Sequence, residues 1–153
     1  MKSPTFTNQP KTNAIMKHTL KTKMANFYAQ FPHLWNDLKN GFLSMEKNGQ
    51  PFYGQRTITI YLDKGKYTID YYQDGELADR NEGRTLIDAA AHIYNAWTTQ
   101  VVEAHRDPTP SEIKRGYGVT HYRSFFLNDF LKPDGVTCKT RMKADDGLFY
   151  SLS

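Results

Sequence analysis

Five histidines, one cysteine and a few neighbouring carboxylates are the side chains in this 153-residue sequence whose types allow catalysis or metal binding. His18, His33, His92, His105 and His121 are scattered, and no two have metal-ligand spacing. Cys138 stands alone, which excludes an internal disulfide and a cysteine-rich zinc site. It falls in a strand-like run and is expected to be a buried small apolar residue rather than a nucleophile. Asp70 with Asp74 and Asp145 with Asp146 are the acidic pairs, and turn chemistry accounts for Asp74-Gly75 and Asp146-Gly147. The sequence has no GxxxxGK[ST] phosphate loop, no GxGxxG and no GxSxG elbow. The expectation is therefore binding rather than catalysis, with no cofactor and no metal.

Charge gives a positive lead. The chain carries +4 overall. Residues 1–25 hold five Lys and no acid, and 108–144 hold seven basic against three acidic groups, while the middle of the chain is acidic. Two basic ends around an acidic centre point to contact with a polyanion. The runner-up is a solvated arm with ordinary surface lysines.

The elements that must position these residues read as an α+β protein. Residues 1–19 lack periodicity and form the expected flexible basic arm, with Met16 as a candidate start. Met1 to Asn13 contains no apolar run, so no secretory signal is expected there, and the single cysteine suits a reducing cytoplasm. No stretch is apolar enough to span a membrane. Met24, Phe27, Phe31, Leu34, Leu38 and Phe42 predict a helix over 20–46 that Pro32 kinks or splits. TITIYL and YTIDYY predict a hairpin turning at Lys64-Gly65, pairing Leu62 with Tyr67, Ile60 with Ile69 and Ile58 with Tyr71. Glu76–Ala78 adds a third short edge strand. Thr85 with Asp88 opens a helix over 85–105 with Ile87, Ala90, Tyr94, Trp97 and Val101 on one face. Asp107-Pro108-Thr109-Pro110 then separates an α-β-β-α body at 20–106 from a segment at 108–153.

PSEIKRGYGVTHYRSFFLNDFLK (110–132) resembles a helix-turn-helix, with Gly118 in the turn, Val119 plugging the core and Thr120 capping the second helix. The strand-like runs 136–144 and 148–152, joined by Asp145-Asp146-Gly147, resemble the hairpin wing of winged-helix DNA-binding domains, so the likeness spans 108–152. It implies double-stranded DNA as the partner. Arg115, Thr120, His121, Arg123, Ser124 and Asn128 would face the groove, and Lys139, Arg141 and Lys143 would meet phosphates. Lys143 and its neighbours equally suit an edge strand guarded by charge. Lys114, Gly116, Leu127 and Leu131 depart from the family pattern.

The order helix, antiparallel strands, helix over 22–105 is similar to a double-stranded-RNA-binding domain. That family carries a basic cluster before its last helix, where this chain has Asn81-Glu82-Gly83-Arg84. RNA binding through this module is therefore not expected. Tyr61, Asp70 and Tyr72 instead suit a protein partner, such as a host nucleic-acid-processing complex acted on by an inhibitor or adaptor of mobile-element type.

Overall fold

The computed structural model describes residues 19–47 and 55–153. The basic arm to residue 18, with Met16, lies outside that range. The chain is mixed α+β, with four helices and two four-stranded antiparallel sheets among the described residues.

The long helix expected over 20–46 is two helices and a strand. Helix α1 (Leu20–Gln30) starts where the Thr19 hydroxyl accepts from Thr22 N–H at 3.2 Å. Pro32 cannot donate to the preceding turn, so it opens α2 (Pro32–Lys39) instead. Gly41, at φ +94°, then turns the chain into β1 (Phe42–Lys47).

Strands β1, β2 (Arg56–Asp63), β3 (Lys66–Gln73) and β4 (Glu76–Arg84) form a meander in sequence order. The β2–β3 register is the expected one: Leu62 opposes Tyr67, Ile60 opposes Ile69 and Ile58 opposes Tyr71. Lys64 and Gly65 both take positive φ, which gives the turn the twist that antiparallel strands need. Strand β4 runs nine residues rather than three. It shows almost no buried side chains, so period-2 patterning could not announce it; backbone bonds to β3 define it.

Helix α3 (Leu86–Thr98) begins with the Thr85–Asp88 capping box. It ends seven residues before the expected boundary, where the Thr98 and Thr99 hydroxyls donate back to the Asn95 carbonyl. Ile87 faces outward, whereas Ala90 and Tyr94 are buried as expected, joined by Ala89, Ile93 and Ala96. Helices α2 and α3 lie against the first sheet, and α1 packs on both helices in the same core. The core is aromatic at its centre, with Phe27 about 5 Å from the rings of Tyr28, Tyr94 and Trp97. Each buried Tyr hydroxyl there finds a carbonyl: Tyr28 donates to Ala90 at 2.7 Å and Tyr67 to Leu38 at 2.6 Å.

The second sheet has the order β6-β5-β8-β7. It comprises β5 (Val101–Arg106), β6 (His121–Phe126), β7 (Arg141–Lys143) and β8 (Phe149–Leu152). A five-residue helix α4 (Pro110–Lys114) lies between β5 and β6, and a 3-10 turn (Leu127–Phe130) follows β6. The expected terminal hairpin is present as β7 and β8 around Asp145-Asp146-Gly147, although its first strand is three residues long. The second helix of the helix-turn-helix is absent: its first half is strand β6. HYRSFF alternates half-buried and exposed residues, and each of its residues pairs with β5. Period two fits six residues with a waiting partner strand better than a helical stripe does. Ala104, Phe130 and Tyr150 form a small second core with Val102, Phe125, Met142 and Leu152 around them. The loop from Lys132 to Thr137 fastens to the helices. Tyr94 Oη donates to Gly135 O at 2.7 Å, Asn26 Nδ2 donates to Asp134 O at 3.0 Å, and Val136 packs on the first core. Among the described residues no helix is long and apolar enough to cross a membrane.

Candidate nucleic-acid interface

Antiparallel pairing puts opposed residues on the same face, so the β5–β6, β5–β8 and β7–β8 registers sort the second sheet into two sides. The inner side holds Val102, Ala104, Phe125, Tyr150 and Met142. The outer side is open except at Val101, which is buried. One transverse row runs Tyr122, His105, Ser151, Arg141 across all four strands. Lys143 and Phe149 oppose each other one step along, and Ser124 opposes Glu103 on the other flank. Tyr122 is 64% exposed, Phe126 48% and Phe149 47%. The Arg141 guanidinium lies 4.3 Å from the Phe149 ring centroid, and the rings of His105 and Tyr122 are 6.3 Å apart. His105 Nδ1 also reaches the Ser153 hydroxyl at 3.1 Å. Within the strands this face carries Arg141 and Lys143 against one acid, Glu103.

The cations of the inner side are neutralised. Arg106 makes a fork with Glu112 at 2.7 and 3.0 Å, and its Nε donates to Tyr150 Oη at 3.2 Å. That fork, with the Thr109 N–H, holds the Glu112 carboxyl down at about 2. Arg123 lies over the Phe125 ring and bonds Asp145 at 2.7 Å, with Asp146 at 3.8 Å. Its hydrogen bond keeps Asp145 below the usual carboxylate range. Asp146 is lowered first by the Tyr150 hydroxyl, which donates to it at 2.7 Å, and then by the Leu148 N–H. His121 Nε2 sits 3.4 Å from Glu112 without hydrogen-bond geometry.

Thus the six residues expected on one recognition surface are dispersed. Arg115 is exposed at the end of α4, and its Nε donates to Ser111 O. Thr120 is exposed ahead of β6, and Asn128 is exposed in the 3-10 turn. His121 and Arg123 turn inward, while Ser124 turns outward. Strand alternation, which reverses side at every residue, is the reason. Of the three wing cations, Arg141 and Lys143 share the outer face, and Lys139 is exposed in the segment before β7. Cys138 is exposed rather than buried, because it makes only an isolated bridge to Leu131. In the first sheet Tyr61 and Tyr72 are half-buried. Asp70 is 2% exposed and is gripped by Arg80 at 2.7 and 3.0 Å, so its carboxylate is closed to a partner.

Three outer-face residues were not singled out in the sequence: Tyr122, His105 and Phe149. Tyr122 shares a helical spacing with Phe125, Phe126 and Phe130, which masks its strand alternation, and the helix expected over 85–105 takes in His105. The signal for Tyr122 was the Tyr-x-Ser-x-Phe alternation from 122 to 126. A recess of about 260 Å³ opens beside β6, lined by Val101, Arg123, Ser124, Phe125, Phe126 and Asp129. No group of three or more His, Cys, Asp or Glu among the described residues is placed to hold a metal. No family model, no curated protein and no solved structure matches this chain significantly.

Proposed function

We propose that this protein binds nucleic acid, and that the open face of its second sheet is the contact surface. The observation that carries the reading is the separation of charges across that sheet. Arg106 and Arg123 face inward onto carboxylates, whereas Arg141 and Lys143 face outward without an ion-pair partner within 4 Å among the described residues. Cations held on a solvated strand face among exposed aromatic rings match a phosphate backbone and the groups attached to it. The five lysines of residues 1–25 add sequence-independent attraction. No recognition helix remains to read a major groove, so the reading rests on backbone charge rather than on base-edge contacts.

The test is affinity measured against salt with a fluorescent oligonucleotide. Log K falls with log salt by about 0.7 per contact for a single strand and 0.9 for a duplex. Replacing Arg141 and Lys143 together by Ala is expected to make that slope shallower by about 1.4–1.8. Replacing Lys64 and Lys66 at the first hairpin turn leaves the slope unchanged. An unchanged slope in the Arg141/Lys143 variant refutes the assignment. Failure to bind any oligonucleotide at low salt removes nucleic acid as the ligand and leaves the Tyr61/Tyr72 face of the first sheet as the partner surface.

A further inference from the structure

Resting on that reading, we infer that the bound strand is unpaired, and that its bases stack on Tyr122 and on the Arg141–Phe149 pair. The first argument is size. A B-form major groove is about 12 Å wide and admits a helix or a two-stranded ribbon. The second sheet presents four strands, whose outer axes are about 14 Å apart before side chains are added. Its open face cannot enter the major groove, and an undistorted duplex would meet it chiefly through phosphates.

The second argument is the chemistry of the face. Tyr122 and Phe149 are aromatic and exposed, and neither belongs to the second core. Exposed rings gain little from an undistorted duplex, whose bases are already stacked and must first be unstacked at about a few kcal/mol per step. They offer an unpaired base a flat apolar partner, and this kind of recognition tolerates any base because each has a π face. Arg141 lies over the ring of Phe149, so the same guanidinium offers its flat face beside the ring and its N–H edge to phosphate. Two strands and one step along β8 separate Tyr122 from Phe149, about 12 Å. The two platforms therefore hold different bases of one strand. His105, Ser151 and Lys143 lie between and beside them as donors for the connecting sugar-phosphate chain. Glu103 flanks the Ser124 end, which directs the strand toward β7 and β8.

The experiment uses the full chain with three probes of equal length: oligo-dT, oligo-U and a mixed-sequence DNA duplex. Anisotropy at one salt concentration is expected to show either single strand bound about 10-fold or more tightly than the duplex. Tyr122→Leu and Phe149→Leu keep apolar surface but remove the ring, and each is expected to weaken single-strand binding about 10-fold. Neither changes the salt slope, since no cation is lost. Tyr122→Trp is expected to restore binding and to show indole fluorescence quenched by oligo-dT. Circular dichroism and a thermal melt establish that each variant folds. Duplex binding equal to or tighter than single-strand binding overturns the inference while leaving the nucleic-acid reading intact. So does unchanged single-strand affinity in both Leu variants. Binding of none of the three probes removes the nucleic-acid reading itself.

Discussion

Gly135 joins the loop after the 3-10 turn to the helical layer, and replacing it with Ala tests how tightly. Its φ is +79°, where an L side chain costs about 1–2 kcal/mol. An added Cβ would lie 2.5 Å from Tyr94 Oη and 2.6–2.7 Å from Cγ and Cβ of Lys23. These are not free chain ends. Tyr94 Oη is fixed by its 2.7 Å bond to the Gly135 carbonyl, in a setting where burial and Asp134 push the phenol up to about 12. Overpacking of this kind adds about 1–3 kcal/mol. Gly147 is the matched control: its φ is +82°, and nothing lies within 4 Å of an added Cβ. Gly147→Ala should therefore cost about 1 kcal/mol once the reduced entropy of the unfolded chain is credited. Gly135→Ala should cost about 2–4 kcal/mol. With a urea dependence of about 2 kcal/mol/M, the two midpoints should differ by about 0.5–1.5 M. Equal midpoints, or the milder effect at Gly135, would show that the loop is not packed as described.

Two pH effects follow from the side-chain environments. Glu112 is held at about 2 by Arg106 and the Thr109 N–H, so the stability it contributes is complete above its ordinary value near 4.5 and is lost as pH falls from there toward 2. Glu112→Gln should flatten acid unfolding over that window; an unaltered acid profile would dissociate α4 from the stability of the second sheet. His92, whose Nδ1 is hydrogen-bonded to the Tyr71 hydroxyl, is lowered from 6.5 chiefly by burial and secondarily by Arg84, with Asp88 and Asp79 opposing. Its contribution is complete above about pH 6.5 and falls as pH drops through the depressed value, because the unfolded chain then binds the additional proton. His92→Gln should reduce the loss in urea midpoint between pH 7.5 and 5.5, and persistence of the full loss would place the sensitivity elsewhere.

Several elements were legible because their determinants are local. The β2–β3 register follows from Lys64-Gly65 and from which face carries Ile58, Ile60 and Leu62. The start of α3 follows from a reciprocal pair of bonds between Thr85 and Asp88. The break at Pro32 follows from a missing donor. The α+β class was readable from these alone. Strand β4 was underestimated because an edge strand with few buried side chains has no pattern to read. Residues 99–105 and 121–126 carry a helical spacing for a related reason. Val101–Arg106 continues the spacing of α3, and Tyr122, Phe125, Phe126 and Phe130 also fit a helical stripe.

The sequence by itself determined the turns at Lys64-Gly65 and Asp146-Gly147, the Thr85–Asp88 cap and the excess of positive charge in residues 108–144. It also marked Arg141 and Lys143 as lying on one strand face. The tertiary structure decided what accompanies them. Pairing β6 with β5, and β5 with β8, turns Tyr122 and His105 outward into the row of Arg141, and turns Arg123 inward onto Asp145. That choice is made by hydrogen bonds between strands distant in sequence. A six-residue run carries the periodicities of both strand and helix until a partner strand supplies its ladder.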